Sequence, residues 1–334
     1  MATTMNKQVL MANRPTGWVK ESDFRIVEQP LPSPGDGKVL VRNLFLSLDP
    51  YMRGRMNASK SYAAGVELGA VMVGGTVGEV TESRNPAFKA GDIVVGSSGW
   101  QQYGVSVGKE LRKVARRNFP LSLYLGTVGM PGVTAWIGLN KIGQPKAKET
   151  VVVSAASGAV GSVVGQLAKR QGCRVVGIAG GALKCAYTME DLGFDGCVDY
   201  KAGHIAHDLE RETPDGIDIY FENVGGEVLE AVIPRLNSFA RIPLCGLISD
   251  YNSTTARGIP DMRQFLIKRV KLQGFICSDT MELWPEALKQ LGDLAEIGTL
   301  RYRETIVEGI ENAPKAFIGL FKGENFGKLV VKLA

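Results

Sequence analysis

The sequence is poor in the side chains that hold transition metals. Only two of its 334 residues are histidines and five are cysteines, and neither type occurs in the first 120 residues. Because zinc sites are built from Cys, His and carboxylate ligands, a zinc site in this first part is excluded. His204 and His207 are three residues apart and could share a helix face. They lie in the charged stretch 203–213, however, and we interpret them as a solvated surface pair. No metal site is predicted.

Paired cysteines and long apolar runs are also missing. The five cysteines are scattered without CxxC spacing, so neither a zinc knuckle nor a redox motif is indicated. No apolar run approaches the roughly 18 residues that span a bilayer, and the N-terminus lacks the apolar core of a signal peptide. The net charge of +5 is spread along the chain without the dense basic run typical of nucleic-acid binding. We therefore expect a cytoplasmic protein with neither a membrane nor a nucleic-acid partner.

The first part of the chain is predicted to be rich in β-strands. Short apolar segments such as 38–46 and 93–95 alternate with clusters of Gly, Pro and Asp. Residues 71–80, where glycines stand among valines, are expected to form a strongly bent strand. The final segment 328–333 is apolar and β-branched again, which indicates that the chain returns to this domain. The predicted β-rich domain comprises residues 1–125 and 300–334, and the second domain comprises residues 126–299.

From about residue 151 the pattern becomes an alternation of strands and helices. Residues 151–153 form a continuous apolar run, as expected for a strand buried on both faces. Apolar residues with helical spacing follow over 160–168. Further strands are predicted at 174–178, 197–200, 217–221, 239–245 and 271–275. This alternation predicts an α/β fold with a doubly wound parallel sheet.

The segment Ala155-Ala156-Ser157-Gly158-Ala159-Val160-Gly161 connects the first of these strands to its helix. A glycine at 158 allows the backbone to approach a pyrophosphate, and a glycine at 161 allows close helix–strand packing. The helix N-terminus adds free N–H groups and the positive end of its dipole. Ala156 replaces the first glycine of the GxGxxG pattern, but both flanking elements are in place. A dinucleotide-binding turn is predicted.

The cofactor is predicted to be NADP rather than NAD. An NAD site has an Asp or Glu at the end of the second strand, where it binds the ribose 2′-hydroxyl. Here that strand ends in Gly177-Ile178-Ala179-Gly180-Gly181, and no acidic residue follows before Glu190. Lys184 lies close enough to meet a 2′-phosphate. The missing carboxylate and the nearby cation together favour NADPH as the cofactor.

Hydride transfer without a metal requires hydroxyl or amide donors, and two tyrosines are candidates. Tyr51 follows a predicted strand in Asp49-Pro50-Tyr51-Met52-Arg53, and Tyr251 lies just beyond the carboxyl end of another strand. Ligands of open α/β sheets bind at that edge of the sheet. A Ser or Cys nucleophile paired with His has no signature in the sequence.

Six segments in consistent order carry a family resemblance. They are Leu48-Asp49-Pro50-Tyr51-Met52-Arg53, Gly129-Met130-Pro131-Gly132-Val133-Thr134-Ala135-Trp136, 155–169, Phe221-Glu222-Asn223-Val224-Gly225-Gly226, Cys245-Gly246-Leu247-Ile248-Ser249 and Asn325-Phe326-Gly327-Lys328. With them the chain resembles the zinc-independent medium-chain dehydrogenase/reductases of the leukotriene B4 dehydrogenase, prostaglandin reductase and curcumin reductase group. The resemblance implies a GroES-like N-terminal domain, a Rossmann domain with the active site in the cleft between the two, and a homodimer.

The resemblance also implies roles for individual residues. Gly158, Ala159 and Val160 would line the pyrophosphate, and Lys184 with Tyr200 would hold the 2′-phosphate. Tyr51 and Tyr251 would face the substrate and are the predicted catalytic residues. Segment 57–68 departs from the family pattern, and we expect it to shape the substrate pocket. The full predicted cofactor-binding set is Met130, Gly132, Thr134, Ser157, Gly158, Ala159, Val160, Gly161, Gly180, Lys184, Tyr200, Asn223, Cys245, Gly246, Ile248, Asn325 and Gly327.

The expected reaction is NADPH-dependent reduction of the C=C bond of α,β-unsaturated aldehydes and ketones. Hydride would reach the β-carbon, donors would stabilise the carbonyl oxygen, and the α-carbon would take a proton from tyrosine or water. A quinone or carbonyl reductase on the same scaffold is the alternative enzyme. A non-catalytic relative that binds NADPH or RNA is the alternative from another class. The physiological substrate and the identity of the proton-donating tyrosine stay open at this stage.

Overall fold

The computed structural model describes residues 5–259 and 261–334. The strands in chain order are β1 (Met5–Met11), β2 (Phe24–Pro30), β3 (Val39–Ser47), β4 (Thr76–Ser83), β5 (Ile93–Gly96), β6 (Tyr103–Ser106), β7 (Arg112–Lys113), β8 (Thr150–Ser154), β9 (Arg174–Ala179), β10 (Gly196–Asp199), β11 (Ile217–Phe221), β12 (Leu236–Leu244), β13 (Lys271–Gly274), β14 (Glu304–Glu308) and β15 (Lys328–Lys332).

The α-helices are α1 (Tyr51–Arg55), α2 (Met130–Ile137), α3 (Gly161–Arg170), α4 (Ala182–Glu190), α5 (Ile205–Glu212), α6 (Gly226–Val232), α7 (Met262–Lys268), α8 (Trp284–Glu296) and α9 (Ala313–Phe321). Short 3-10 segments lie at Glu21–Asp23, Leu121–Leu125, Tyr200–Ala202, Ile233–Arg235, Cys277–Leu283 and Ile310–Asn312, and a π-helical segment lies at Gly138–Gly143.

The chain divides into two compact units. The first contains the chain up to Leu125 together with Glu304–Asn325 and Leu329–Ala334, and the second contains Gly126–Arg303 and Phe326–Lys328. The return to the first unit thus falls at Glu304, four residues later than the predicted 300. The short piece Phe326–Lys328 belongs to the second unit because Gly327 and Lys328 pack on Arg303 and Gly126.

The second unit is built on a parallel sheet, which confirms the predicted fold class. Within the described residues its strands are ordered β10-β9-β8-β11-β12-β13. Every residue of β8 is buried, because helices cover both faces of this central strand. One core contains Val151, Val153 and α3, and a second core on the other face contains Val152 and α6. The order reverses between β8 and β11, and ligands of doubly wound sheets bind at such a switch point.

The first unit contains antiparallel sheets. The strand order β14-β15-β3-β4-β5-β7 forms one sheet with β6 paired to β3, while β1 and β2 form a separate ladder. Trp100 stacks on Phe24 with ring centroids 5.3 Å apart and meets Phe317 edge-on at 5.5 Å. This aromatic cluster lies in the core of the unit together with Met52 from α1 and Met56, which directly follows that helix.

The prediction of a bent strand over 71–80 was wrong for its first half. The strand begins only at Thr76, and Val71 forms an isolated bridge to Leu10. A Cβ atom on Gly74 would lie 2.8 Å from Leu46 Cδ1 and 3.0 Å from Trp100 Cδ1. The glycines here allow the chain to cross closely over the core, a packing role that a strand pattern cannot reveal.

Among the helices described, none has the length and apolar character needed to cross a membrane.

Candidate functional site

The predicted dinucleotide turn joins the end of β8 to the start of α3. Ala155 adopts a left-handed conformation with φ 50°, and its carbonyl oxygen accepts the N–H of Gly158 at 2.8 Å. A Cβ atom on Gly161 would lie 2.4 Å from that same oxygen. Gly161 is therefore required by the close approach of α3 to the strand end, which places the N-terminus of α3 at the carboxyl edge of the sheet.

The alanine that replaces the first glycine of the pattern has a structural counterpart in β9. Ala156 is fully buried, and a Cβ atom on Gly177 would lie 2.8 Å from the Cβ of Ala156. The space that the alanine methyl group occupies is thus left open by a glycine on the neighbouring strand. The departure from GxGxxG does not distort the turn, because β9 accommodates it.

Two backbone donors of the turn are available to an anion. Ala159 and Val160 are partly exposed, and within the described residues their N–H groups donate to no protein acceptor. They lie immediately before α3, whose dipole favours negative charge at this end. The turn therefore fits the pyrophosphate of a dinucleotide, which needs N–H donors and close backbone approach.

Gly180 and Tyr200 lie together beside this turn, after the ends of β9 and β10. A Cβ atom on Gly180 would lie 2.8 Å from both Cε1 and Oη of Tyr200, so the tyrosine ring rests directly on the glycine backbone. Lys184 is in the first turn of α4, which begins two residues after Gly180. The structure thus brings three predicted residues to one corner of the sheet, which we call the β9–β10 corner.

Asp199 and Lys201 also belong to the β9–β10 corner, and sequence reasoning missed both. The Asp199 carboxylate accepts the N–H groups of Gly181 at 2.7 Å and Lys201 at 2.9 Å, so it fixes the backbone of the corner. Burial lowers the pKa of Lys184, and the positive charge of Lys201 lowers it further. Two cations therefore face the same region, as expected where a phosphate binds. The position of Lys201 next to Tyr200 was the signal available in the sequence.

Ser154 and Asn223 are linked across the switch point between β8 and β11. The Asn223 backbone N–H donates to Ser154 Oγ at 2.8 Å, and its side-chain amide donates to the Ser154 carbonyl oxygen at 2.8 Å. Both bonds fix the orientation of Asn223 at the sheet edge where a ligand binds.

Glu222 accepts hydrogen bonds from several residues at the same switch point. Its Oε1 accepts hydrogen bonds from Tyr220 Oη at 2.9 Å, Ser154 Oγ at 3.0 Å and the Val224 N–H at 2.6 Å. The side chain is fully buried, and within the described residues its Oε2 has no hydrogen-bond partner. Burial raises the pKa of Glu222 above its ordinary value, while these hydrogen bonds oppose the rise. The sequence showed the residue only as part of the Phe221–Gly226 motif.

Residues 245–251 run beside the switch point. The N–H groups of Cys245 and Gly246 donate to the Glu222 carbonyl oxygen, and that of Ile248 donates to the Asn223 carbonyl oxygen. A Cβ atom on Gly246 would lie 3.0 Å from the hydroxyl of Tyr251, which accepts the Leu247 N–H at 3.4 Å. The structure therefore places the Tyr251 hydroxyl against the segment that holds Asn223.

Residues 130–134 form the start of α2 and include three predicted cofactor-binding residues, Met130, Gly132 and Thr134. A Cβ atom on Gly132 would lie 1.9 Å from the Thr127 carbonyl oxygen, so glycine is required there. The Thr134 hydroxyl donates to the Met130 carbonyl oxygen at 2.8 Å. Gly132 is buried and Thr134 is 8% exposed. Met130 is partly buried and packs against the core of the second unit.

Asn325 and Gly327 fall on opposite sides of a unit boundary. Asn325 ends a segment of the first unit, and Gly327 lies in the second. Gly327 has φ 74°, and a Cβ atom there would lie 2.0 Å from the Arg303 carbonyl oxygen. Its glycine is thus explained by backbone packing within the second unit.

Tyr51 is the first residue of α1, in the first unit. The helix is anchored by Arg53, which is only 4% exposed and donates to Asn57 Oδ1 at 2.6 Å and to the Gly17 carbonyl oxygen at 2.9 Å. Burial lowers the pKa of Arg53. Tyr51 is partly buried against the core that contains Met52, so its position is set by a rigid element.

His204 and His207 are exposed at the start of α5, as predicted, and His207 Nδ1 lies 3.5 Å from Asp208 Oδ1. In the described part of the chain, no group of three or more His, Cys, Asp or Glu side chains is arranged to hold a metal ion.

The strand order, the glycine turn on α3 and the switch-point linkage define a dinucleotide-binding oxidoreductase fold. Residues 7–114 match the family described as the N-terminal domain of oxidoreductase, and residues 159–293 match the family described as zinc-binding dehydrogenase. The chain is 50% identical to the NADPH-dependent curcumin reductase of Escherichia coli (strain K12), over 98% of this chain and 97% of that protein. It is 42% identical to the 2-alkenal reductase (NADP(+)-dependent) of Nicotiana tabacum, over 98% of both chains.

The crystal structure of CurA in complex with NADPH from Vibrio vulnificus superposes with a TM-score of 0.94 at 49% identity, covering 98% of this chain and 99% of that one. The chain belongs to the zinc-independent medium-chain dehydrogenase/reductases, in the group that contains the curcumin, 2-alkenal and prostaglandin reductases.

Proposed function

We propose that the protein uses NADPH to reduce the C=C bond of α,β-unsaturated aldehydes and ketones. The observation that carries the proposal is the β9–β10 corner, where Tyr200 rests on Gly180 and Lys184 and Lys201 face one region. The corner supplies cations where an NAD site would place a carboxylate on the ribose. The activities for which the curcumin reductase and 2-alkenal reductase relatives are named support the substrate class.

We propose residues for three parts of the cofactor. The Ala159 and Val160 N–H groups would hold the pyrophosphate, and Lys184 with Tyr200 would hold the 2′-phosphate. Asn223, fixed by Ser154, would orient the nicotinamide side. When bound, NADPH supplies the hydride that reaches the β-carbon of the substrate. The protein then has to stabilise negative charge on the carbonyl oxygen and deliver a proton to the α-carbon.

Tyr51 and Tyr251 are the proposed hydroxyl donors for these last two tasks. Tyr251 is supported by its place at the carboxyl edge of the parallel sheet beside Gly246. Tyr51 is supported by its position on α1, which Arg53 holds rigidly. Residues 57–68, which expose the apolar side chains of Tyr62 and Leu68, are proposed to contribute to substrate selection.

Homodimer formation and a cytoplasmic location are also proposed. Strand β13 is at the edge of the parallel sheet, and α7, which precedes it in the chain and packs on β12, exposes Leu266 and Ile267. All five cysteines are free thiols, which a reducing compartment maintains.

A substrate screen tests the proposed reaction. NADPH oxidation would be followed with 2-alkenals, enones, curcuminoids, oxo-eicosanoids and a quinone, and the products would be identified by mass spectrometry. We expect saturated aldehydes or ketones that retain the carbonyl group. Reduction of the quinone without reduction of any enal or enone would instead identify a quinone reductase. NADPH binding without turnover of any of these compounds would identify a non-catalytic binding protein.

A further inference from the structure

Two cysteines meet directly beneath the β9–β10 corner. Cys185 is in the first turn of α4, one residue after Lys184, and Cys197 is in β10, three residues before Tyr200. Both cysteines lie where α4 packs on β10, and each thiol shifts the pKa of the other. Cys197 lies opposite Gly177 in the parallel register, where a glycine leaves room for its sulfur.

The two thiols are chemically unequal. The hydrogen bond from the Cys197 thiol lowers the pKa of Cys185, and a backbone hydrogen bond from Ala179 lowers it further. The same thiol–thiol bond and burial raise the pKa of Cys197. The N-terminal turn of a helix also favours a thiolate, and Cys185 lies in such a turn. We assign Cys185, near the N-terminus of α4 where a thiolate is favoured, as the attacking thiol and Cys197 as the resolving thiol.

We propose that Cys185 and Cys197 form a peroxide-sensitive pair whose closure to a disulfide weakens NADPH binding. The Cys185 thiolate attacks one oxygen of hydrogen peroxide, the O–O bond breaks, and the departing hydroxide takes up a proton to become water. The Cys197 sulfur then attacks the resulting sulfenic acid, the S–O bond breaks, and a second water leaves with the thiol proton. Two thiols are oxidised to one disulfide while one peroxide is reduced to two waters.

Closure would act on the cofactor site through the elements that carry the two cysteines. A disulfide holds its sulfurs about 2 Å apart, much closer than two thiols in contact, so the first turn of α4 has to shift toward β10. That turn carries Lys184, and the end of β10 leads into Tyr200. The bond between Asp199 and the Gly181 N–H joins the same two segments. This consequence rests on the proposed function of the β9–β10 corner in binding the 2′-phosphate.

Mass spectrometry and cofactor titration of the full-length protein test the proposal. The reduced protein would be treated with hydrogen peroxide, its intact mass measured, and its linked peptides mapped. We expect the loss of two hydrogens and a Cys185–Cys197 linkage. The Kd for NADPH, from fluorescence titration, is expected to rise at least about fivefold on oxidation, within the usual range for coupling between sites, with a smaller rise for NADH. Because coupling is reciprocal at equilibrium, saturating NADPH is expected to shift the Cys185–Cys197 thiol–disulfide equilibrium toward the dithiol, which is measured in a glutathione redox buffer.

Single substitutions provide the controls. Cys197→Ser is expected to stop at the sulfenic acid, which dimedone traps on Cys185, and Cys185→Ser is expected to form neither product. Cys173→Ser, a buried thiol that donates to the Lys146 carbonyl oxygen elsewhere in the unit, is expected to behave like the wild type.

Three results have distinct meanings. Absence of a Cys185–Cys197 linkage in the wild type would overturn the proposal, and a linkage with an unchanged Kd for NADPH would overturn its effect on binding. A reduced protein that binds NADH as tightly as NADPH would instead contradict the proposed cofactor site, independently of the disulfide mapping.

Discussion

Lys184 is the single side chain on which cofactor selection depends most. Its ammonium group lies at the β9–β10 corner, where no carboxylate follows β9 before Glu190. Hydrogen bonds to charged groups contribute about 1.5–3 kcal/mol, so we expect Lys184→Ala to raise the KM for NADPH about 10- to 100-fold. The KM for NADH, which lacks the 2′-phosphate, should change little. Steady-state kinetics with both cofactors measure the difference.

A matched lysine supplies the control for Lys184. Lys169 in α3 is ion-paired to Asp195 at 2.7 Å, and Lys169→Ala should leave the ratio of the two KM values unchanged. Equal changes for NADPH and NADH in Lys184→Ala would show that the lysine does not contact the 2′-phosphate.

The two candidate proton donors can be separated by removing one hydroxyl at a time. General acid catalysis contributes about 10²- to 10⁴-fold, so phenylalanine at the donor position should lower kcat by about that factor. The hydroxyl of Tyr251 lies against Gly246, which makes Tyr251→Phe the more informative first variant. Tyr51→Phe and, as a control, Tyr103→Phe would be assayed beside it with one enal. If kcat stays unchanged in both Tyr51→Phe and Tyr251→Phe, tyrosine is not the proton donor and water has to supply the proton.

At the scale of secondary-structure elements, the packing of β8 on β9 explains an unusual residue in the turn. Gly177 leaves the space that the Ala156 methyl group fills. A Cβ atom added at Gly177 would lie only 2.8 Å from the Cβ of Ala156. Overpacking of this kind costs about 1–3 kcal/mol, which is our expectation for the loss in free energy of unfolding in Gly177→Ala. The double variant Ala156→Gly with Gly177→Ala should recover part of this loss, because the two methyl groups would no longer compete.

Urea denaturation of the wild type, both single variants and the double variant measures this coupling. Recovery is expected to be partial, because a Cβ at 177 also lies 3.2 Å from Phe194 Cδ2. Strictly additive effects of the two substitutions would argue against compensation between the strands.

The linkage between β8 and β11 predicts a pH dependence of stability. Because burial raises the pKa of Glu222, the folded state binds its proton more tightly than the unfolded state does. Its contribution is therefore fully present below the pKa of the unfolded carboxyl group and is lost as pH rises through the raised value. The glutamine in Glu222→Gln does not titrate. The free energy of unfolding of this variant, relative to that of the wild type, should therefore increase as pH rises through this range.

Unfolding free energies from urea titrations at several pH values test this expectation. Glu190→Gln, at an exposed position of α4, serves as the control and should show no such gain. Glu222→Ala removes the acceptor for Tyr220, Ser154 and Val224, and should cost about 2–4 kcal/mol, as expected when buried donors lose their partners. A constant difference between wild type and Glu222→Gln at all pH values would show that Glu222 does not ionise in this range.

Short apolar runs and glycine spacing were sufficient to predict the parallel sheet. Three predicted strands correspond to β8, β9 and β11, namely 151–153, 174–178 and 217–221. They could be predicted because a strand buried on both faces consists of consecutive apolar residues. Asp199 and Glu222 were missed as site-forming residues because their roles depend on which strand ends are neighbours. Strand order is a property of the tertiary fold, and a sequence pattern does not contain it.

Glycines in family motifs show a second limit of prediction from the sequence. Gly132 and Gly327 are predicted to bind the cofactor because they lie in family motifs, and a Cβ atom at either position would also collide with a backbone carbonyl oxygen. A motif does not show whether a glycine is needed for packing, for ligand approach or for both. Gly158 is different, since it precedes the two N–H groups of the turn that are available to an anion.

At the scale of the whole molecule, the parallel sheet of the second unit has β13 as an edge strand in the described part of the chain. Strand β13 pairs only with β12 in the described residues, and α7, which precedes β13 in the chain and packs on β12, exposes 78% of Leu266 and 54% of Ile267. An unpaired edge next to apolar side chains is a template for pairing with a second chain. We therefore expect two copies to associate through β13 and α7, with the two β13 strands paired antiparallel about a twofold axis so that one sheet continues across both subunits.

Leu266→Glu is the variant that tests this association. Burial of a leucine contributes about 1.5–3 kcal/mol, and a twofold interface contains the residue twice, so the dimer Kd should rise at least ~100-fold. Sedimentation velocity over a range of concentrations measures the shift from dimer to monomer. Ile297→Glu at the end of α8, where the native side chain is 69% exposed, introduces the same charge away from β13 and should leave the dimer intact. Equal dissociation in both variants would indicate a general effect of added charge, and a fully dimeric Leu266→Glu protein would place the interface on another surface.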